Sequence, residues 1–136
     1  MGLHLNKLQG IIEGQKHSSG ITRIEVMSEG YLFRLLVFEE QPKNRLGKTV
    51  FLVIKESEIA ISKIKPIDIS ISNKPECKVT KIVSGEMLAQ IYLQLGSASI
   101  SSIITSESIQ RLSIREGDTV CALIKANEIY LESTVD

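Results

Sequence analysis

The chain repeats itself. GKTVFLVIKESEIAI at 47–61 lies on GDTVCALIKANEIYL at 117–131 under an offset of 70, with Gly, Thr, Val, Ile, Lys, Glu and Ile in step. LNKLQGIIEG at 5–14 lies on SNKPECKVTK at 72–81 under an offset of 67, which pairs Asn6 with Asn73 and Lys7 with Lys74. A duplication of about 65 residues restricts the fold to two copies of one small unit. Such a unit buries too little surface to be secure alone, so the copies are expected to pack on each other or on a second chain. The joint is expected within 62–70, where Pro66 interrupts, giving units 1–65 and 66–136.

Strand signals dominate both copies. TRIEV (22–26), YLFRLLVF (31–38), TVFLVI (49–54) and EIAIS (58–62) come first; IDISIS (67–72), AQIYLQL (89–95), ASISSIIT (98–105), TVCALI (119–124) and EIYLE (128–132) follow. Several alternate apolar and polar residues with period 2, as a half-buried strand does. One stretch departs from this: SESIQRLSIREGD (106–118) spaces Ile109 and Leu112 three apart, offers Thr105 or Ser106 as N-cap, and stops at Gly117, predicting a two-turn helix. Five short strands with at most one short helix, between the third and fourth, is the element order of a small barrel. The expected fold class is therefore all-β, two tandem OB-type Greek-key barrels.

Composition excludes several functions. Sixteen basic and sixteen acidic side chains cancel, so no global field draws in nucleic acid or an anionic membrane, and without Trp and with only three Tyr and three Phe the barrels lack a base-stacking surface. Apolar runs stop far short of the roughly 20 residues of a membrane helix, and MGLHLNKLQG lacks a basic-then-apolar leader; the expected location is the cytoplasm. Cys77 and Cys121 lie 44 apart without a CxxC, and only His4 and His17 could join them, so no metal set is expected. No nucleophile, base and orienting group recur together, so the chain is not expected to be an enzyme.

What remains is a set of hydroxyls and one lysine. Thr105 and Ser108 flank the start of the short helix, Lys125 follows in the next strand, and Ser70 and Ser72 share a face of the strand leading into the second copy. Several neutral donors with a single formal charge suit a small tetrahedral oxyanion, selected by cavity size rather than by field. A Ser or Thr before a helix is more often a plain cap, and a lysine at a strand end is more often solvated. The difference between the copies favours a site. Lys55 persists in the first, but under the offset of 70 Leu35 stands for Thr105 and Phe38 for Ser108, Pro42 and Gly47 spoil the helix, and LHLN (3–6) replaces SISN (70–73). That pattern predicts one working site and one vestige.

The second copy resembles a Mop or TOBE domain, whose pattern runs S-A-R-N, I-T-x-x-S before a helix, L-x-x-G-D-x-V and I-K-A-x-E-V. This chain supplies Ser70-Ile71-Ser72-Asn73, Ile104-Thr105 to Ser108, Leu112 to Gly117-Asp118 and Val120, and Ile124-Lys125-Ala126-Asn127-Glu128-Ile129. With the degenerate first copy, the whole resembles a tandem Mop protein. The resemblance implies binding of molybdate, or tungstate, for storage, homeostasis or sensing, in shallow cages at the subunit interfaces of a homo-oligomer. It places the ligand groups on Ser70, Ile71, Ser72, Thr105, Ser108, Lys125 and Ala126, with Lys55 and Lys74 as secondary candidates and no organic cofactor. The family's Arg is Ser72 here, which removes a fixed cation; Lys74 or Lys7 could compensate. That loss and the eroded first copy support an alternative, an accessory module that docks onto a molybdate transporter or regulator.

Overall fold

The computed structural model describes residues 4–38, 45–66 and 68–134. The first half contributes β1 (Leu5–Ser18), β2 (Ile21–Ser28), β3 (Tyr31–Val37), β4 (Thr49–Lys55), a 3₁₀ turn (Glu56–Glu58) and β5 (Ala60–Ser62). The second contributes β6 (Glu76–Ser84), β7 (Leu88–Leu95), β8 (Ala98–Thr105), α1 (Ser106–Leu112), β9 (Thr119–Leu123), a second 3₁₀ turn (Ala126–Glu128) and β10 (Ile129–Ser133). The fold is all-β apart from these short helical turns, and the helix falls between the third and fourth strands of the second half, as the sequence predicts.

Two five-stranded sheets form, in the orders β10-β4-β1-β2-β3 and β5-β9-β6-β7-β8. Exchanging the halves converts one order into the other, so the halves are related by a pseudo-twofold. Each half also gives its last strand away: β10 pairs with β4, with Ile129 opposite Ile54, and β5 pairs with β9, with Ala60 opposite Leu123. The inward side chains merge into one apolar cluster, with Leu8, Phe33 and Leu52 from the first sheet and Val79, Leu93 and Ile100 from the second. Strand exchange thus solves the burial problem of a 65-residue unit by making the two cores continuous.

Polar groups lock the pseudo-twofold. Asn6 and Asn73, both buried, each pair their side chain with the backbone of the other half's third strand. Asn6 donates to the Ser101 carbonyl at 2.8 Å and accepts from the Ser101 N–H at 2.8 Å. Asn73 donates to the Arg34 carbonyl at 2.9 Å and accepts from the Arg34 N–H at 2.8 Å. Since β3 and β8 are sheet edges, each amide satisfies a free edge as a further strand would. The β2–β3 and β7–β8 turns meet as well: Glu29 accepts from the Ser97 N–H at 2.7 Å and from its hydroxyl at 2.6 Å. These bonds hold the Glu29 carboxyl below its ordinary value, the hydroxyl bond contributing most.

Three sequence expectations need correction. IDISIS is not a strand: residues 68–72 form bends, and Ile67 lies outside the described residues. The segment continues the register of β6, Asn73 meeting Ile124 as Glu76 meets Cys121, but Pro75, which has no N–H, stands where the first half has Leu8 inside β1 and interrupts the ladder. Only Asn73 bridges onward, to Ile124. The helix ends at Leu112 rather than Gly117, because Ser113 adopts the left-handed conformation (φ 52°) and closes it. Finally, the offset is 67, not 70, up to the end of the third strand: β2 and β3 start at 21 and 31, and β7 and β8 at 88 and 98. Phe38, not Leu35, therefore corresponds to Thr105. Pro42 and the position matching Ser108 lie outside the described residues.

Candidate functional site

The candidate residues fall into two groups. The first forms where the segment after the joint meets the end of β9. Asn73 and Ile124 exchange backbone hydrogen bonds, at 3.3 Å from the Asn73 N–H and 2.9 Å from the Ile124 N–H, and the Asn73 amide adds a third to the Ile124 carbonyl at 3.1 Å. This antiparallel register lays Ser72 beside Lys125 and Ile71 beside Ala126. Ser70, Ser72 and Lys125 are exposed, and Ile71 and Ala126 are half-buried. The second 3₁₀ turn, which carries Ala126, packs on β3.

Thr105 and Ser108 make the second group. Thr105 ends β8 and caps α1, its hydroxyl accepting from the Ser108 N–H at 3.1 Å and lying 2.7 Å from the Ser108 hydroxyl. Arg111 reaches Ser108 at 3.3 Å, so a guanidinium stands beside the hydroxyl pair. β8 packs on the first 3₁₀ turn, with the Ser102 hydroxyl donating to the Ile59 carbonyl at 2.6 Å. Within one chain the hydroxyl pair thus belongs to the Lys55 side, and Lys125 belongs to the β3 side.

The secondary candidates are partly engaged. Lys55 lies over the Tyr130 ring at 5.7 Å, a modest cation–π contact. The Lys74 N–H donates to the Tyr31 hydroxyl at 2.8 Å. Lys7 turns to Glu132 at 2.9 Å in an exposed pair. Among the described residues, no three His, Cys, Asp or Glu side chains converge to hold a metal. Burial pushes the Cys77 thiol up to about 12 and raises Cys121 as well, so neither is a ready thiolate ligand. No described helix is long and apolar enough to cross a membrane.

The residue that sequence reading missed is Glu56. It is fully buried at the start of the first 3₁₀ turn. Its carboxylate accepts from the His4 N–H at 2.6 Å, the Gln90 amide at 2.9 Å and the Ser101 hydroxyl at 3.4 Å. In KESE it looks like part of a solvated charged turn; the only signal is that the repeat sets it against Ala126.

Three comparisons bear on this geometry. A profile of the TOBE domain matches residues 69–131. Molybdenum-pterin-binding protein 1 of Clostridium pasteurianum is 30% identical over 66 residues, which are 48% of this chain and 97% of that protein; molybdenum-pterin-binding protein 2 of the same organism is 29% identical over the same length. The solved structure of the cytoplasmic molybdate-binding protein ModG, with molybdate bound, matches 95% of this chain and 96% of its own at a TM-score of 0.88 and 22% identity, so the whole tandem fold is shared.

Proposed function

We propose that this chain, which belongs to the Mop family of TOBE-domain molybdenum-pterin-binding proteins, binds molybdate or tungstate in the cytoplasm as a homo-oligomer, for storage, homeostasis or sensing. The observation that carries the reading is the Asn73–Ile124 bridge, because it lays a hydroxyl-bearing segment against Lys125, which the repeat matches with Lys55. Ser70 and Ser72 donate hydroxyls, Ile71 and Ala126 backbone N–H groups, and Lys125 the formal charge. A tetrahedral dianion needs several short donors and partial neutralisation, which this set offers without a large field.

Thr105 and Ser108 complete the cage from a second copy. In one chain they stand on the Lys55 side, so a subunit interface is what brings them to Lys125. The units 1–65 and 66–136 then divide the labour, the first mainly for assembly and the second for the ion. Lys55 and Lys74 stand by as secondary contacts, no organic cofactor is needed, and no catalytic step is assigned.

The test is a pair of variants. Loss of a hydrogen bond to a charged group costs about 1.5–3 kcal/mol, so Lys125→Ala should weaken molybdate binding by roughly ten- to a hundredfold. Thr105→Val should weaken it as well, along with about 1 kcal/mol of helix-cap stability. Unchanged affinity in both variants would refute the site.

A further inference from the structure

We propose that Glu56 is a built-in anion: its carboxylate fills the oxyanion position of the first-half pocket, so that only the pseudo-symmetric pocket at Ala126 takes an external oxyanion, with Arg34 and Arg23 as its cations. The inference rests on the functional reading above for the identity of the ion. The assignment of Glu56 rests on geometry alone.

The pseudo-twofold supplies the correspondence residue by residue. The asparagine clamps match Arg34 with Ser101 directly, since Asn73 holds the backbone of one and Asn6 that of the other. The same offset matches Arg23 with Gln90 and Ile71 with His4, and the offset of 70 beyond the third strands matches Ala126 with Glu56 and Lys125 with Lys55. In the first pocket, His4, Gln90 and Ser101 all donate to the Glu56 carboxylate. Three converging donors on a fully buried carboxylate describe an occupied anion site, filled from within the chain.

In the second half the side chains at three of these positions are changed in the direction of an external anion. Ala126 removes the carboxylate. Gln90 and Ser101, both neutral, become Arg23 and Arg34, and the Ile71 N–H replaces that of His4. Arg23 and Arg34 project from one face of the β2–β3 ribbon, as Gln90 and Ser101 do from β7–β8, because Arg34 stands opposite Glu25 and Arg23 opposite Leu36; the second 3₁₀ turn covers β3 as the first covers β8. Arg34 is half-exposed and meets Glu25 at 3.5 Å, a loose pair that an arriving dianion can outcompete. The cation missing at Ser72 is thus supplied by the other half of the chain. A carboxylate buried among donors in the first half, against an alanine and two arginines on one ribbon face at the matching positions of the second, fixes which half takes the ion.

The experiment is titration of the full-length oligomer with molybdate and with tungstate, sulfate serving as control. Wild type should bind one ion per chain and Glu56→Ala two, while Arg34→Gln should keep the count at one with affinity at least tenfold weaker. Should Glu56→Ala be too unstable to titrate, its melting temperature should rise on adding tungstate by more than that of wild type, since the ion replaces the missing carboxylate. An unchanged count in a folded Glu56→Ala, or no such rescue in an unstable one, overturns the assignment of Glu56; unchanged affinity in Arg34→Gln overturns that of the cations. A silent wild type beside a binding Glu56→Ala would instead refute the functional reading while keeping Glu56 as the resident anion.

Discussion

Replacing Asn73 with Ala removes three hydrogen bonds at once: to the Arg34 N–H, the Arg34 carbonyl and the Ile124 carbonyl. The side chain is fully buried, so an alanine there leaves a void where these three bonds were. Each bond contributes roughly 1 kcal/mol net. Water can reach the β3 edge in part, because Arg34 is exposed, and this discounts the loss to about 2–3 kcal/mol. For a chain of this length, 1 kcal/mol shifts the midpoint by about 3 °C, so Asn73→Ala should melt roughly 6–9 °C below wild type. Asn6→Ala, which removes the matching clamp on Ser101, should fall by a similar amount. Urea denaturation followed by circular dichroism, with thermal melts beside it, measures both. A loss below about 1 kcal/mol in both variants would refute the claim that the paired amides lock the two halves together.

Other consequences can be checked independently. A Cβ at Gly10 would lie 2.5 Å from a Val26 methyl and 2.7 Å from the Met27 carbonyl, so Gly10→Ala should destabilise by about 1–3 kcal/mol in the same denaturation assay. Because Glu29 is held below its ordinary value, its contribution is fully present above the unfolded carboxyl pKa and is lost as pH falls through the folded value. Wild type should therefore lose more stability on acidification through that range than Ser97→Ala, which lacks the hydroxyl bond. Cys77, pushed up to about 12 by burial, should react with iodoacetamide at pH 8 far more slowly than in urea-unfolded protein; equal rates would contradict its burial.

The duplication, the strand-rich class and the capped helix at Thr105 were legible because each leaves a local trace: identities in step, period-2 alternation, a hydroxyl before an apolar pair. β1 and β6 escaped for a local reason too. The inward positions of β1 include Asn6 and Gly10 beside Leu8 and Ile12, so its buried face does not read as an apolar stripe. IDISIS shows the converse error, a perfect alternation cut off from the β6 ladder by Pro75. The exchange of β5 and β10 leaves no mark in sequence, since EIAIS and EIYLE look the same whichever half they pair with. At the candidate site, Ser70 and Ser72 stood out as hydroxyls that one copy has and the other lacks, beside Lys125, a lysine kept in both, whereas the burial of Glu56 and the clamps on Arg34 and Ser101 depend on contacts across the pseudo-twofold. Those contacts join residues 34 to 95 positions apart, a distance at which no local pattern survives.

Calorimetric titration of the intact protein with molybdate, then tungstate, with sulfate as control and the solution mass determined alongside, tests the central claim most directly. Saturable binding of molybdate or tungstate, indifference to sulfate and a mass above the 15.1 kDa of one chain are the predicted results. No heat with any of the three from a well-folded oligomer would contradict the account, and would leave the tandem barrel as a docking module for a protein partner.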